Sequence, residues 1–339
     1  MKTESLIDGS FDEPNDRTSA DMPAPQMIDI ADSYGRSREQ ILVNQTQCHD
    51  IEFRHAPSPW PQLSFLPEIP KHFFQTGKTY NLSNLEICSL LSGSAVMPDY
   101  KQYFHDDAAG RQFISDVYPQ YLRYYNNFTR GVQRADFWRY AIVLAFGGVY
   151  ADADVVFYHS LNKCVPPGSQ TKEPIRMVVG IEGMDLFRPV QITNWAFAGS
   201  PGHYILQRTL ERIIEVVEYR QRNNITYGNT PMEREEETIE LTGPAVLTDS
   251  VEEYLGLHGK SLSQVAQGDI QIGDLYILRA SAFGCGTRAS GCTCEGPGVC
   301  LKHYFRGSWK INSSECNRAS TLFALMLSAL MSALVSRAM

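Results

Sequence analysis

Arg134-Ala135-Asp136-Phe137-Trp138-Arg139-Tyr140 leads through an apolar run into Gly147-Gly148-Val149-Tyr150 and then Asp152-Ala153-Asp154. Phe137, Tyr140, Ala141, Leu144 and Ala145 recur at i, i+3, i+4 and i+7, which predicts a helix over Ala135–Phe146 with one apolar side on the core. The glycine pair stops that helix. A strand, Val149–Asp152, follows at once, and Val155–Tyr158 continues beyond the acids. Alternation along a strand places residues i and i+2 on one side, so both carboxylates are expected to face one pocket. Two hard oxygen donors suit Mg²⁺ or Mn²⁺, ions that keep coordination positions open for substrate phosphates. An isolated Asp-x-Asp is usually a pair of solvated loop acids. The helix and glycines in front of this one favour a metal and phosphate site.

Outward from this block, Ile69–Gly77, Arg176–Glu182, Asn194–Ala198 and Leu275–Leu278 read as short buried strands. His203–Glu218 and Ala245–Leu255 read as helices, residues 85–93 fit either element, and residues 219–238 read as a charged, mobile loop. Strands alternating with helices predict an α/β fold with a mainly parallel sheet flanked by helices, in a single domain. The expected boundaries are a polar tail and approach segment over 1–65, the domain over 66–311 and an apolar tail over 312–339.

The chain has 339 residues, 20% charged and 43% hydrophobic, with a formal net charge of -8. That balance argues against a nucleic-acid partner, which would call for a basic face. An acidic protein handling an anionic nucleotide needs local neutralisation by a divalent ion or a few Arg and Lys. Of the 8 cysteines, Cys285, Cys292, Cys294 and Cys300 crowd into one Gly- and Ser-rich segment without the paired hooks of a zinc site, so disulfides in a loop are expected. Sequons at Asn44, Asn81, Asn127, Asn224 and Asn312 point the same way, to an oxidising compartment. Residues 1–45 are polar throughout and show no signal or anchor. The apolar run Thr321–Ser336 is shorter than the roughly 20 residues of a spanning helix. It fits a tail anchor, a lipid-anchor signal or a packed helix, with membrane association the favoured reading.

The order of motifs resembles the sugar-transferases with a DXD motif, in particular the initiation-specific α-1,6-mannosyltransferase family of fungi (glycosyltransferase family 32). The residues that carry the resemblance are Ile69-Pro-Lys with Gln75-Thr76, Arg134-Ala-Asp136 with Arg139-Tyr140, and Gly147-Gly-Val-Tyr-Ala-Asp152-Ala-Asp154. They continue through Gly180-Ile-Glu182, Gln191 with Trp195, Pro201-Gly-His203, Thr242-Gly-Pro244 with Thr248-Asp249, and His303-Tyr-Phe-Arg-Gly-Ser-Trp309-Lys310. The resemblance implies a GT-A (Rossmann-like) fold and a nucleotide-sugar donor, GDP-mannose in that branch. It also implies Mn²⁺ (or Mg²⁺), retention of anomeric configuration, and a Golgi or other secretory-lumen location, with the cytosol as the alternative if the cysteines are unpaired thiols. The chain departs from the family in lacking the usual N-terminal membrane helix and in carrying the Cys285–Cys300 segment.

On this reading Asp154 coordinates the metal and Asp152 holds the ribose or a metal-bound water, with His303 as third ligand. Asp136 and Arg139 share one helix face, where they pair with each other or, as in similar enzymes, reach the donor sugar and phosphate. Arg134 is a further donor-side residue or serves helix entry. Gln75 and Thr76 at a strand end would touch the nucleotide, and Arg306, Ser308, Trp309 and Lys310 the departing diphosphate. Glu182, Asn194, Trp195 and Asp249 are sugar- or acceptor-side candidates, although Trp195 fits a core position equally well. The implied activity is transfer of α-mannose from GDP-mannose to an N-glycan or related glycan. A glycolipid acceptor of the inositol phosphoceramide type, a UDP-sugar donor and an inactive glycan-binding protein are the alternatives.

Overall fold

The computed structural model describes residues 36–37, 68–165, 173–183, 190–226, 231–286, 292–294, 296 and 298–307. In chain order the elements begin with β1 (Arg36–Ser37), β2 (His72–Thr76), α1 (Asn84–Val96), β3 (Lys101–His105), α2 (Asp107–Val117), α3 (Leu122–Asn127) and α4 (Gly131–Phe146). They continue with β4 (Gly148–Ala151), β5 (Val155–Phe157), α5 (Leu161–Cys164), β6 (Met177–Gly183), β7 (Gln191–Ile192), β8 (Ala196–Gly199) and α6 (Tyr204–Arg222). The last are α7 (Pro231–Leu241), α8 (Pro244–Leu257), β9 (Ile270–Ile272), β10 (Leu275–Leu278), α9 (Ala280–Phe283) and β11 (Leu301–His303).

Nine strands form one sheet in the order β1-β3-β2-β4-β8-β6-β10-β9, with β7 hydrogen-bonded to β6. Strands β3, β2, β4, β6 and β10 point the same way, while β8 runs opposite between β4 and β6. The sheet is therefore mostly parallel in direction, as the alternation of strands and helices implied. Edge strand β1 comes from the polar N-terminal segment and pairs antiparallel with β3, capping an edge that would otherwise leave its backbone groups unpaired.

Period-two alternation sorts the strand residues onto two cores. Phe74, Tyr150, Met177, Val179, Phe197, Leu275 and Ile277 face a layer built on α4, α6 and α8. Phe73, Val149, Val178, Ala196, Ala198, Tyr276 and Leu278 face the other layer, with Leu161, Ala282 and Phe283. Helix α4 is not the one-sided helix its spacing suggested, because every residue from Asp136 to Phe146 is buried. It lies beneath the sheet with other helices around it, a position that leaves no solvated face. Residues 219–238, expected as a loop, instead extend α6 to Arg222 and supply most of α7. Arg220 pairs with Glu237 across the two helices, so the charges there serve packing between helices rather than a loop.

Gly147 and Gly148 turn α4 directly into β4, with φ of 62° and 126°. A Cβ on Gly148 would lie 2.6 Å from the His72 carbonyl, so a side chain there would break the close approach of β4 to β2. The chain crosses from β2 to β3 on one side and then from β3 back past β2 to β4 on the other. The crevice at the carboxyl ends of β2 and β4 is thus the switch point at which open α/β sheets hold ligands.

Candidate active site

Asp152 and Asp154 lie just past the end of β4, in a turn closed by the Val155 amide donating to the Asp152 carbonyl at 3.0 Å. The expected strand alternation does not place them. The turn does, and it is held from below by Gln75, whose amide donates to Ser89 (2.8 Å) and to the Asp152 carbonyl (3.3 Å). The register of β11 on β5 sets His303 opposite Val155, one residue from Asp154. As a result one ligand atom from each of Asp152, Asp154 and His303 falls within 4.8 Å of the others. A disulfide between Cys164 and Cys300 ties this strand to the end of α5, and Cys285–Cys294 closes a second loop. Cys285–Cys294 is a loop disulfide of the kind the spacing suggested, whereas Cys164–Cys300 reaches outside that segment.

Arg139 organises the acids from within the core. Its Nη1 lies 3.0 Å from Asp136 Oδ1 and its Nη2 3.0 Å from Asp152 Oδ1, while the guanidinium sits 4.9 Å over the Tyr150 ring. Tyr150 donates its hydroxyl to Asp152 Oδ1 at 2.5 Å. Asp136 also accepts from Asn194 (3.1 Å) and Thr242 (3.0 Å). Burial pushes the Asp136 carboxyl up to about 7, against the pull of Arg139. Asp152 is likewise raised by burial, opposed by Arg139 and reinforced by the negative charge of Asp154. For Asp154 burial acts upward too, but the hydrogen bond and charge of His303 outweigh it, so its carboxyl sits below the usual range. Burial alone would lower Arg139; the carboxylates lift it instead.

Two carboxylates share one guanidinium and a third, Asp154, stands beside Asp152, which leaves surplus negative charge in a largely desolvated place. His303 Nδ1 is buried without a hydrogen-bond partner, and its Nε2 is 3.0 Å from Asp154 Oδ1. Two carboxylates and one imidazole are the donor set of a divalent cation such as Mn²⁺, which would cancel the repulsion that raises Asp152. The residues fit such an ion.

A strap formed by residues 303–307 crosses the site. The Tyr304 amide donates to the Asp154 carbonyl (3.0 Å) and the Arg306 amide to Asp154 Oδ2 (2.9 Å). Arg306 Nη1 reaches Ser83 Oγ at 2.7 Å and Glu86 at 3.5 Å, locking the strap to the capping box of α1. Its guanidinium, expected on a diphosphate, is here on α1. The Ser-x-x-Glu at 83–86 was the available signal for that anchor. Tyr150, two residues before Asp152, joins the cluster by its hydroxyl, a role that its place in the strand does not mark.

Other candidates divide by position. Asp136 and Arg139 are 3% and 5% exposed, and apart from Arg139 Nε, which is buried without a partner, their polar atoms engage each other and Asp152, Asn194 and Thr242. Asn194 belongs to the same buried network, and Arg139 donates to its carbonyl. Trp195 packs its ring 4.8 Å from that of His303 and donates its indole N–H to Phe283. Thr76 donates its hydroxyl to the His105 carbonyl at the mouth of the crevice. Arg134 closes on the Phe128 carbonyl at the start of α4, the helix-entry role. Glu182 stands at the carboxyl end of β6 and accepts from Gln191. Asp249 is not brought to the cluster: it faces Arg212 across α8 and α6. Ser308, Trp309 and Lys310 lie outside the described residues, as does the apolar tail. Among the described residues no helix is long and apolar enough to cross a membrane.

Residues 83–171 match the glycosyltransferase sugar-binding region containing the DXD motif. That segment starts at the Ser83 cap and runs through Asp152 and Asp154. The initiation-specific alpha-1,6-mannosyltransferase of Schizosaccharomyces pombe is 32% identical over 53% of this chain and 47% of its own length. Its namesake in Candida albicans is 26% identical over 63% of this chain and 64% of its own. Inositol phosphoceramide mannosyltransferase 3 of Schizosaccharomyces pombe is 36% identical over 26% of this chain and 24% of its own. The chain thus spans about half to two thirds of the length of these two mannosyltransferases. A DXD sugar-binding region implies a nucleotide sugar and a divalent metal in general terms.

Proposed function

We propose that this chain is a metal-dependent retaining glycosyltransferase that moves mannose from GDP-mannose to a glycan in the Golgi or another secretory lumen. The observation that carries the reading is the convergence at the switch-point crevice of Asp152 and Asp154, which lie inside the stretch that matches a sugar-binding region, with His303 from β11. The similarity to α-1,6-mannosyltransferases supports mannose as the sugar. The exposed sequons Asn81, Asn127 and Asn224, together with the disulfides, support the lumen.

In this reading Asp154 and His303 are direct ligands of Mn²⁺, with Asp152 on the metal or its water. When bound, the ion supplies charge that stabilises the departing diphosphate. Arg139 and Tyr150 fix the Asp152 rotamer, so the ligand set is preorganised. Gln75 and Ser89 hold the turn, and Thr76 with the α1 N-terminus borders the nucleotide side. Ser308, Trp309 and Lys310 complete the diphosphate contacts, and Glu182 lies toward the acceptor.

A hydrolysis panel of GDP-mannose, UDP-glucose and UDP-galactose, each with Mn²⁺ and with a chelator, tests the proposal. Mn²⁺-dependent release of mannose from GDP-mannose is the expected result, and absence of any Mn²⁺-dependent turnover would refute it. The match to an inositol phosphoceramide mannosyltransferase favours one second acceptor class, so transfer to inositol phosphoceramide is assayed beside transfer to mannobiose.

A further inference from the structure

Among the described residues three that are not glycine have positive φ: Asn224 (51°), Asp269 (51°) and Phe305 (46°). Asn and Asp tolerate that region because their short side chains bond locally, whereas a bulky aromatic there is an outlier. Phe305 is held in place from both sides, since the Tyr304 and Arg306 amides both donate to Asp154. Its ring is not buried in return for this strain. It stays 41% exposed, 4.0 Å from the His303 ring and edge-on to Trp195 at 5.3 Å. A glycine would satisfy the backbone, as it does at Gly307, where φ is 58°. Its contacts with His303 and Trp195 cover only part of the ring and leave the rest open to solvent.

Its position shows what would use it. Trp195 immediately precedes β8, and its carbonyl accepts from the Asp152 amide at 2.8 Å, so Phe305 stands on the β8 side of the acid cluster. Arg306, the next residue, reaches the opposite side to Ser83 and Glu86 beside the β2–β4 crevice. The strap therefore places its cation toward the nucleotide side and its exposed aromatic face away from it. We propose that Phe305 is a specificity-determining residue that stacks on the apolar C–H face of a hexopyranose bound on the β8 side of Asp154, the acceptor sugar or the sugar of the donor. This rests on the glycosyltransferase reading above. Strain stored in a strap clamped to a metal-ligating acid is the kind of cost that persists where the side chain is needed for ligand contact.

The test uses the full chain and the variants Phe305→Gly, Phe305→Ala and Phe305→Trp. Saturation-transfer NMR with methyl α-mannopyranoside reads sugar contact directly. KM values are taken for GDP-mannose hydrolysis and for transfer to mannobiose, and thermal melting checks the fold. Phe305→Gly is expected to melt no lower than the wild type, because glycine relieves the positive φ. Phe305→Gly and Phe305→Ala are expected to lose the NMR signal and to raise one KM about tenfold, with Phe305→Trp restoring both to within about threefold. A rise confined to mannobiose assigns the pyranose to the acceptor, and one confined to GDP-mannose assigns it to the donor. An unchanged signal and unchanged KM values in a folded Phe305→Gly overturn the inference while leaving the enzyme reading intact. A wild type that binds the pyranoside through Phe305 but turns over no donor overturns the enzyme reading alone.

Discussion

His303 with Asp154 and His203 with Asp274 stand at opposite ends of the main sheet, beyond the carboxyl end of β4 and the amino end of β10, and the two pairs look alike at first sight. The imidazole-to-carboxylate distances are 3.0 Å and 3.2 Å. Their surroundings differ. At the amino end of β10, Asp274 accepts from the Tyr254 hydroxyl at 2.6 Å as well, and it sits near Arg176. His203 is committed twice, because its Nδ1 accepts the Ile205 amide as the N-cap of α6. Burial would raise Asp274, yet the His203 and Tyr254 hydrogen bonds bring it down to about 2. That network is closed. At the carboxyl end of β4, a second acid stands beside the pair, burial and Asp154 drive Asp152 upward, and His303 Nδ1 has no partner. A histidine–aspartate pair therefore marks a ligand site only when its charge and hydrogen bonds remain unbalanced.

Substitution at each end should separate the two roles. Asp154→Ala is expected to lower kcat/KM for donor hydrolysis by about 10³-fold, roughly 4 kcal/mol of transition-state stabilisation, while the protein still melts cooperatively. Retained activity would make the carboxyl-end cluster structural. Arg139→Ala leaves the buried Asp136 and the half-buried Asp152 without their shared counter-charge, so urea titration should show a loss of about 3 kcal/mol. A loss under about 1 kcal/mol would mean the acids are protonated and need no partner. Mn²⁺ at about 100 times its Kd should stabilise the wild type by about 2.7 kcal/mol. Chelation or Asp154→Ala should abolish that shift, and Asp274→Ala should leave it whole. An equal shift in all the proteins would place the ion elsewhere.

The two ends also differ in how much of them the sequence could reveal. The Asp-x-Asp after a glycine pair was readable because a turn of that kind has few other uses, and His303 was readable from the motif that closes the domain. Pro201-Gly-His203 was equally visible, but its meaning was not, since capping geometry depends on where α6 begins. Asp136 and Arg139 share a helix face as their spacing required. Spacing could not say whether that face points into a cleft or into the core, and burial of α4 on all sides decided it. Asp249 shows the same limit: its motif neighbour Thr248 accepts the Ile192 amide, while Asp249 itself turns to Arg212. The strap was the least legible part, because the backbone amides of Tyr304 and Arg306 carry it and side-chain identity does not encode them.

The closed pair offers the smallest and cleanest measurement. Asp274→Ala strands the His203 ring N–H and the Tyr254 hydroxyl in a partly buried place, which should cost about 2 kcal/mol in urea titration. Donor hydrolysis by the folded variant should stay within about twofold of wild type, since nothing at this end touches the cluster. The pH dependence fixes the cause. Asp274 has a folded value of about 2 against an ordinary 3.8, so its stabilisation is fully present above 3.8 and is lost as pH falls toward 2. Wild type and Asp274→Ala should accordingly differ at pH 6 and converge as the acid is titrated below pH 4. A gap that stays constant across that window would mean the loss comes from a packing defect, and the contrast between a charged closed network and a charged open one would then rest on geometry alone.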